Sequence, residues 1–333
     1  MRIKEAHIDV PKKFGQENCM IKKAVITGPT GAIGMALLEY LITQEIEVLA
    51  IVRPDSGRKH RLDRFAGRFL RIAECSIDDY AAIRSEEYGS DYDILFHFAW
   101  EATIGDGRND LYLQNKNVKY TLDAVHLANR LGCHTFIGAG SQAEYGRVQE
   151  KITSDTPVHP DNGYGMAKLC AGMMSRVECR KLQMKHVWVR ILSVYGPYDG
   201  ERTMMISGIR AMLKGERPSF SKGEQLWDYL YSKDAARAVF LAGERGRNGA
   251  VYPVGSGIVR PLYEYIERMR DTVSRISGKA AAAGIGDLPY REQQVMYLCA
   301  DIKELTADTG FVPEISFEEG IEHTVRWCEA GLL

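Results

Sequence analysis

The 333-residue chain is long enough for two lobes that each bury a core, or for one large α/β unit with an appended lobe. Its 43 Lys plus Arg balance 44 Asp plus Glu, so no basic excess exists to neutralise phosphates at large, and neither nucleic acid nor a membrane surface is an expected partner. The seven cysteines are odd in number, scattered and without a C-x-x-C pair, which argues for reduced thiols in a cytosolic (cytoplasmic) protein and against a disulfide framework or a metal site.

Residues 1–20 are charged and lack an apolar run, so they read as an irregular leader rather than a signal peptide or membrane anchor; Met20, just before the first strand, is an alternative start. From residue 22 short β-branched runs alternate with amphipathic helical stretches. KKAVITG, EVLAIVR, RFLRIAEC and DILFHFAW read as four strands, and HTFIGAG and HVWVRIL as two more. Between them lie helical segments such as AIGMALLEYLITQ and NVKYTLDAVHLANRLG, with Val118, Leu122 and Val125 marking the buried stripe of the second. This alternation predicts an α/β fold, a Rossmann-like doubly wound parallel sheet with helices on both faces. After about residue 197 the alternation weakens. The expected division is a dinucleotide-binding domain over 21–196 and 227–254, the latter including YLYSKDAARAVFLAG and the following strand AVYPVG, which returns to the sheet as its seventh, and a smaller C-terminal substrate-binding lobe over 197–226 and 255–333.

Gly28, Gly31 and Gly34 in VITGPTGAIG lie between a predicted strand and a predicted helix. That context suits a tight turn on which a pyrophosphate meets the positive end of the helix. Arg53 ends the second strand, and Ser56, Arg58 and Lys59 follow. An arginine there accommodates a ribose 2′-phosphate that an acid would repel. NADP(H) is therefore the expected cofactor, with NAD(H) as the alternative because Asp55 in the same loop offers a ribose contact. In GYGMAK, Tyr164 and Lys168 stand one helical turn apart, where a cation favours the phenolate. Such a pair in isolation more often packs its ring and lets its amine snorkel to water.

These features, with HFAW at 97–100, NVKYT at 117–121, GSQAEYG at 140–146, RILSVYGP at 190–197 and WDYLYSKDAARA at 227–238, add up to a resemblance. From about residue 22 onward the chain resembles the extended short-chain dehydrogenases/reductases of the nucleotide-sugar epimerase, dehydratase and reductase group. The resemblance implies that Tyr164 exchanges the proton of a substrate hydroxyl or ketone and that Ser141 holds that oxygen. It further implies that Lys168 lowers the tyrosine pKa and binds the nicotinamide ribose. Cofactor contacts are implied at Gly28, Thr30, Gly31, Ala32, Ile33, Gly34, Arg53, Ser76, Ile77, Phe98, Ala99, Trp100, Asn117, Ala139, Tyr164, Lys168, Ile191 and Val194. Substrate contacts are implied at Thr103, Ser141, Gln142, Glu144, Ser193, Arg210, Trp227 and Arg291, and no metal is implied.

Three departures narrow the reaction. Gln142 and Ala143 stand where dehydratases of the group carry Asp-Glu, so elimination of water is not expected. Ser193 replaces an Asn and Trp227 an Arg that usually serve the diphosphate, which makes Arg210 and Arg291 candidate substitutes and leaves open a substrate without a nucleotide. His97 is expected to support the strand end rather than carry protons, and Glu144 to be either a sugar contact or a solvated loop carboxylate. The leading expectation is an NADPH-dependent ketoreductase acting at C4 of a nucleotide-linked 6-deoxy-4-keto sugar. A nucleotide-sugar 4-epimerase is the nearest alternative, and a non-catalytic NADP-binding sensor or scaffold a third. A homodimer is implied through helices near 111–131 and 164–183, the second offering Met166, Leu169, Met173, Met174 and Val177, unless these side chains fill the core.

Overall fold

The computed structural model describes residues 21–290, 292 and 294–331, so the leader and Arg291 lie outside the described residues. The first half runs β1 (Lys23–Thr27), α1 (Ala32–Thr43), β2 (Glu47–Val52), β3 (Leu70–Glu74), α2 (Ser85–Tyr88), β4 (Ile94–His97), α3 (Leu111–Arg130), β5 (Thr135–Ser141), α4 (Gly163–Lys181) and β6 (Lys185–Ile191). The chain continues through β7 (Ser193–Tyr195), α5 (Met204–Leu213), β8 (Ser219–Phe220), β9 (Leu226–Trp227), β10 (Tyr229–Tyr231), α6 (Ser232–Arg245) and β11 (Val251–Val254). It ends with β12 (Arg260–Pro261), α7 (Leu262–Ser277), β13 (Gly284–Ile285), β14 (Tyr297–Leu298), α8 (Lys303–Thr309) and α9 (Phe317–Glu329).

Seven parallel strands form one sheet in the order β11-β6-β5-β4-β1-β2-β3. Continuous apolar runs such as AVIT in β1 are what a strand buried on both faces requires. One face is covered by α1 and α6 through Leu37, Leu41, Ala235 and Val239, the other by the α3 side through Val125, Leu127 and Ala128. Along α3 the buried stripe is Val118, Ala124, Val125 and Ala128, and Leu122 is only half-buried. The chain leaves β1 toward β2 and β3 on one side and β4 through β11 on the other. The crevice at the carboxyl ends of β1 and β4 is therefore the topological switch point, where ligands of such sheets bind.

A further core joins α5, α7 and α9 through Ile206, Ile266, Met269, Ile321 and Val325. Leu305 of α8 and Phe311 pack into the first sheet core, because α8 lies against α6 and β11. Among the described residues, no helix is long and apolar enough to cross a membrane, and the six cysteines are all unpaired.

Candidate active site

The glycine-rich turn is built for close approach. Gly28 has φ +71°, and a Cβ there would lie 2.8 Å from the Ala99 nitrogen across the switch point. A Cβ on Gly34 would lie 2.5 Å from the Gly28 carbonyl oxygen, so the first turn of α1, with Ala32 and Ile33, seats directly on the loop. At Gly31 a Cβ would meet nothing within 4 Å. The space in front of the helix N-terminus is thus open where a pyrophosphate belongs, and the residues fit a dinucleotide.

A cleft of about 710 Å³ opens from this turn, lined by Gly28, Thr30, Arg53, Ser56, Arg58, Cys75, Ile77, Ala99 and Trp100 among others. Arg53 stands just past β2, more than half exposed, with its Nε 4.0 Å from Asp55. Lys59 does not face a ligand, because its amine is paired with Glu74. Ser76 begins the short turn after β3, while Phe98, Ile191 and Val194 pack against the sheet core.

Asn117 is fully buried, and its amide accepts from Glu101 N at 2.9 Å and donates to Glu101 O at 3.1 Å. It shapes the loop after β4 instead of contacting cofactor. His97 is buried too, with Nδ1 2.8 Å from Thr27 Oγ1, and burial lowers its pKa to about 3. It stays neutral.

Ser141 ends β5 and Tyr164 opens α4, which Asn162 caps by accepting from Gly165 N at 2.9 Å. Tyr164 is almost wholly buried, and burial raises its pKa, opposed by a hydrogen bond with Ser141 and by the positive charge of Arg108. Lys168 lies on the same face of α4, one turn on. Its amine donates to Ala139 O at 2.6 Å and lies 3.7 Å from the Trp100 ring centroid, but 5.8 Å from that of Tyr164. Burial lowers the pKa of Lys168 itself to about 7.

Glu144 is fully buried, neither a sugar contact nor a solvated carboxylate. Its oxygens accept from Ser141 N at 2.8 Å, Trp188 Nε1 at 3.0 Å and Arg190 Nε at 2.7 Å. Gln142 is half-buried beside it, and Thr103 is exposed, its carbonyl accepting from Arg108. The two departures from the family pattern meet each other, since Trp227 Nε1 donates to Ser193 Oγ at 2.8 Å. Arg210 lies 3.7 Å from Glu201 and lines a hollow with Lys214, Lys279 and Cys328.

Sequence reasoning missed Arg108, whose guanidinium carbon lies 4.2 Å from the Tyr164 ring centroid, and the Trp188–Arg190 support of Glu144. No local spacing announces Arg108, which reaches Tyr164 only through the folded loop. Arg190 pairs with Gly140 on adjacent parallel strands, and Glu144 lies in the turn just after β5, a proximity that pairing β5 with β6 would have disclosed.

The comparisons agree with this geometry. Residues 24–255 match the model of the NAD dependent epimerase/dehydratase family. A putative UDP-glucose 4-epimerase of Methanocaldococcus jannaschii is 24% identical over 92% of this chain and 98% of its own length. The UDP-glucose 4-epimerase of Thermotoga maritima, solved with UDP-glucose, is 25% identical with a TM-score of 0.79, covering 93% of this chain and 100% of that one. A UDP-N-acetylglucosamine 4-epimerase from Methanobrevibacter ruminantium, solved with UDP-N-acetylmuramic acid, shares the fold at TM-score 0.82 and 24% identity, over 93% and 99% of the two chains. With a parallel sheet split at its switch point, a glycine turn open to a pyrophosphate and a family match across both, the chain belongs to the NAD dependent epimerase/dehydratase family, enzymes of the extended short-chain dehydrogenase/reductase type.

Proposed function

We propose that the protein is an NADPH-dependent ketoreductase acting at C4 of a nucleotide-linked 6-deoxy-4-keto sugar. The observation that carries this reading is the placement of Tyr164 beside Ser141 and edge-on to Trp100, which lines a cleft that Arg53, Ser56 and Arg58 also line. Gly28 to Gly34 would hold the pyrophosphate, the Arg53 edge a 2′-phosphate and Lys168 the nicotinamide ribose. When bound, the dinucleotide supplies the hydride that the keto carbon gains. As the C=O π pair moves onto oxygen, Tyr164 gives its proton to that oxygen and is left as phenolate, while the Ser141 hydroxyl donates a hydrogen bond to the same atom. Dehydration is disfavoured because Gln142 does not ionise and Ala143 has no acid or base to offer.

A 4-epimerase is the second reading. The relatives named 4-epimerases favour it, and so does Asp55, whose carboxylate near Arg53 offsets the charge that selects a 2′-phosphate. A sensor without turnover has less support, since Ser141, Tyr164 and Lys168 are all present. The reading includes a homodimer through α3 and α4, on which Met166, Met173, Met174 and Val177 are exposed, and a reducing, cytoplasmic setting that suits the unpaired cysteines.

The test is a panel of 4-keto and 4-hydroxy nucleotide sugars with NADPH or NADP. Stoichiometric loss of NADPH absorbance supports reduction, whereas inversion at C4 with no net cofactor change supports epimerisation. Tyr164→Phe should retain cofactor affinity and thermal stability while single-turnover hydride transfer falls by about 10²–10⁴. A near-normal rate in that variant removes Tyr164 from the role.

A further inference from the structure

Tyr164 sits in a stack of rings and cations. Trp100 meets it edge-on at 6.0 Å between centroids, and Arg108 covers its ring at 4.2 Å. Arg108 comes from the loop joining β4 to α3, and that loop is fastened from several sides. Gln114 accepts from Trp100 Nε1 at 2.9 Å and donates to the carbonyls of Ala102 and Gly107 at 3.1 and 2.9 Å. Asn117 holds both backbone groups of Glu101. Ala102 is held at φ +56°, a conformation that a non-glycine residue keeps only where its surroundings over-determine it.

At its far end the loop is tied to the tyrosine's own helix. Asn109 Oδ1 accepts from Gly163 N at 3.1 Å, next to Tyr164. A Cβ on Gly163 would stand 3.0 Å from the Arg108 carbonyl oxygen, so a glycine there lets the loop lie against α4. Arg108 Nη1 donates to Thr103 O at 2.9 Å, which fixes the guanidinium over the ring.

We propose that Arg108 is a positioning residue for proton transfer: its charge, laid on the Tyr164 ring by this fastened loop, stabilises the phenolate and thereby sets the pH at which Tyr164 exchanges its proton. The charged and titratable groups facing Tyr164 are Arg108 from the loop, Ser141 from β5, Glu144 from the turn after it and Lys168 from α4. Among them Glu144 raises the tyrosine pKa, its own charge being engaged by Arg190, and Ser141 lowers it. Burial lowers the pKa of Lys168, whereas a guanidinium is always charged. A positive charge within ~4–6 Å favours the ionised form by about one pH unit or more. Arg108 therefore adds its charge to whatever Lys168 supplies from the helix side.

This inference rests on Tyr164 as the proton-transfer group, not on the identity of substrate or cofactor. The test is phenolate absorbance against pH for the unliganded protein, Arg108→Met, Arg108→Gln and Arg108→Lys, each with the matching Tyr164→Phe form subtracted and with folding checked by circular dichroism. Arg108→Gln keeps an amide donor without the charge, and Arg108→Met keeps neither, so the two separate charge from hydrogen bonding. The expected result is a Tyr164 midpoint raised by about one pH unit in the Met and Gln forms, with at least half of that shift recovered in the Lys form. Equal midpoints in wild type and a folded Arg108→Gln protein, or no Tyr164 transition in either below alkaline unfolding, overturn the proposal. The titration uses no sugar and no dinucleotide, so it reads even if every substrate in the panel fails.

Discussion

At the scale of single residues, burial decides the charge state of Lys168. Its pKa falls from 10.5 to about 7, so between those values the unfolded chain holds a proton that the native chain lacks. Stability from this group therefore rises as pH climbs through that window and is flat below it. Relative to Lys168→Met, the unfolding free energy of wild type should rise with a slope of up to ~1.4 kcal/mol per pH unit. Urea titrations across the window check this, and a flat difference would mean that the buried amine stays protonated. Arg53 obeys the opposite logic, because it is largely exposed, as is Asp55 4.0 Å away, and its charge is screened until a ligand covers it. A charge-assisted contact is worth about 1.5–3 kcal/mol, so Arg53→Ala should weaken NADPH binding at least ~10-fold and leave NADH nearly unchanged. Calorimetric titration of both dinucleotides decides it, and equal losses would remove Arg53 from cofactor selection.

At the scale of elements, one indole couples β5, β6 and α4. Trp188 lies in a slot left by three glycines: a Cβ on Gly138, Gly140 or Gly172 would come within 2.0, 2.3 or 2.7 Å of it. From that slot it donates to Glu144, which in turn accepts from Ser141 N, so the packing of α4 on the sheet sets the catalytic end of β5. Gly172→Ala is informative because two effects compete. Alanine in a helix interior gains about 0.5–1 kcal/mol over glycine, whereas overpacking a rigid core ring costs about 1–3 kcal/mol. The clash should win, with a net loss of roughly 1 kcal/mol or more in denaturant unfolding. A more stable Gly172→Ala protein would show that the indole has room to move.

At the scale of the whole molecule, α4 carries apolar side chains that its own sheet does not use. Met166 is 51% exposed, Met173 57%, Met174 44% and Val177 42%, so these side chains do not fill the core. If α3 and α4 form the proposed dimer seam, Met173→Glu with Met174→Glu would desolvate two unpaired charges per subunit there, and the protein should become monomeric by light scattering. A monomeric wild type at micromolar concentration rejects the dimer, and a soluble dimer of the double variant rejects this seam.

The alternation of apolar runs with amphipathic stretches was enough to determine the seven sheet strands and their helices. The glycine spacing at 28–34 placed the dinucleotide turn for the same reason: both are short-range patterns dictated by backbone geometry. Tyr164 and Lys168 were legible together because a helix brings positions four apart to one face. The surroundings of those residues depended on contacts distant in sequence. Glu144 became a buried brace because β6 delivers Trp188 and Arg190 beside it, Ser193 and Trp227 satisfied each other across two strands, and Asn117 turned inward to hold Glu101. Arg210 came to line a hollow with Lys279 and Cys328, and Arg108 was brought over Tyr164 by a loop whose shape depends on α3 and on Gly163. Local periodicity determines which way a side chain faces within its own element, but what it then meets is decided by how the elements pack.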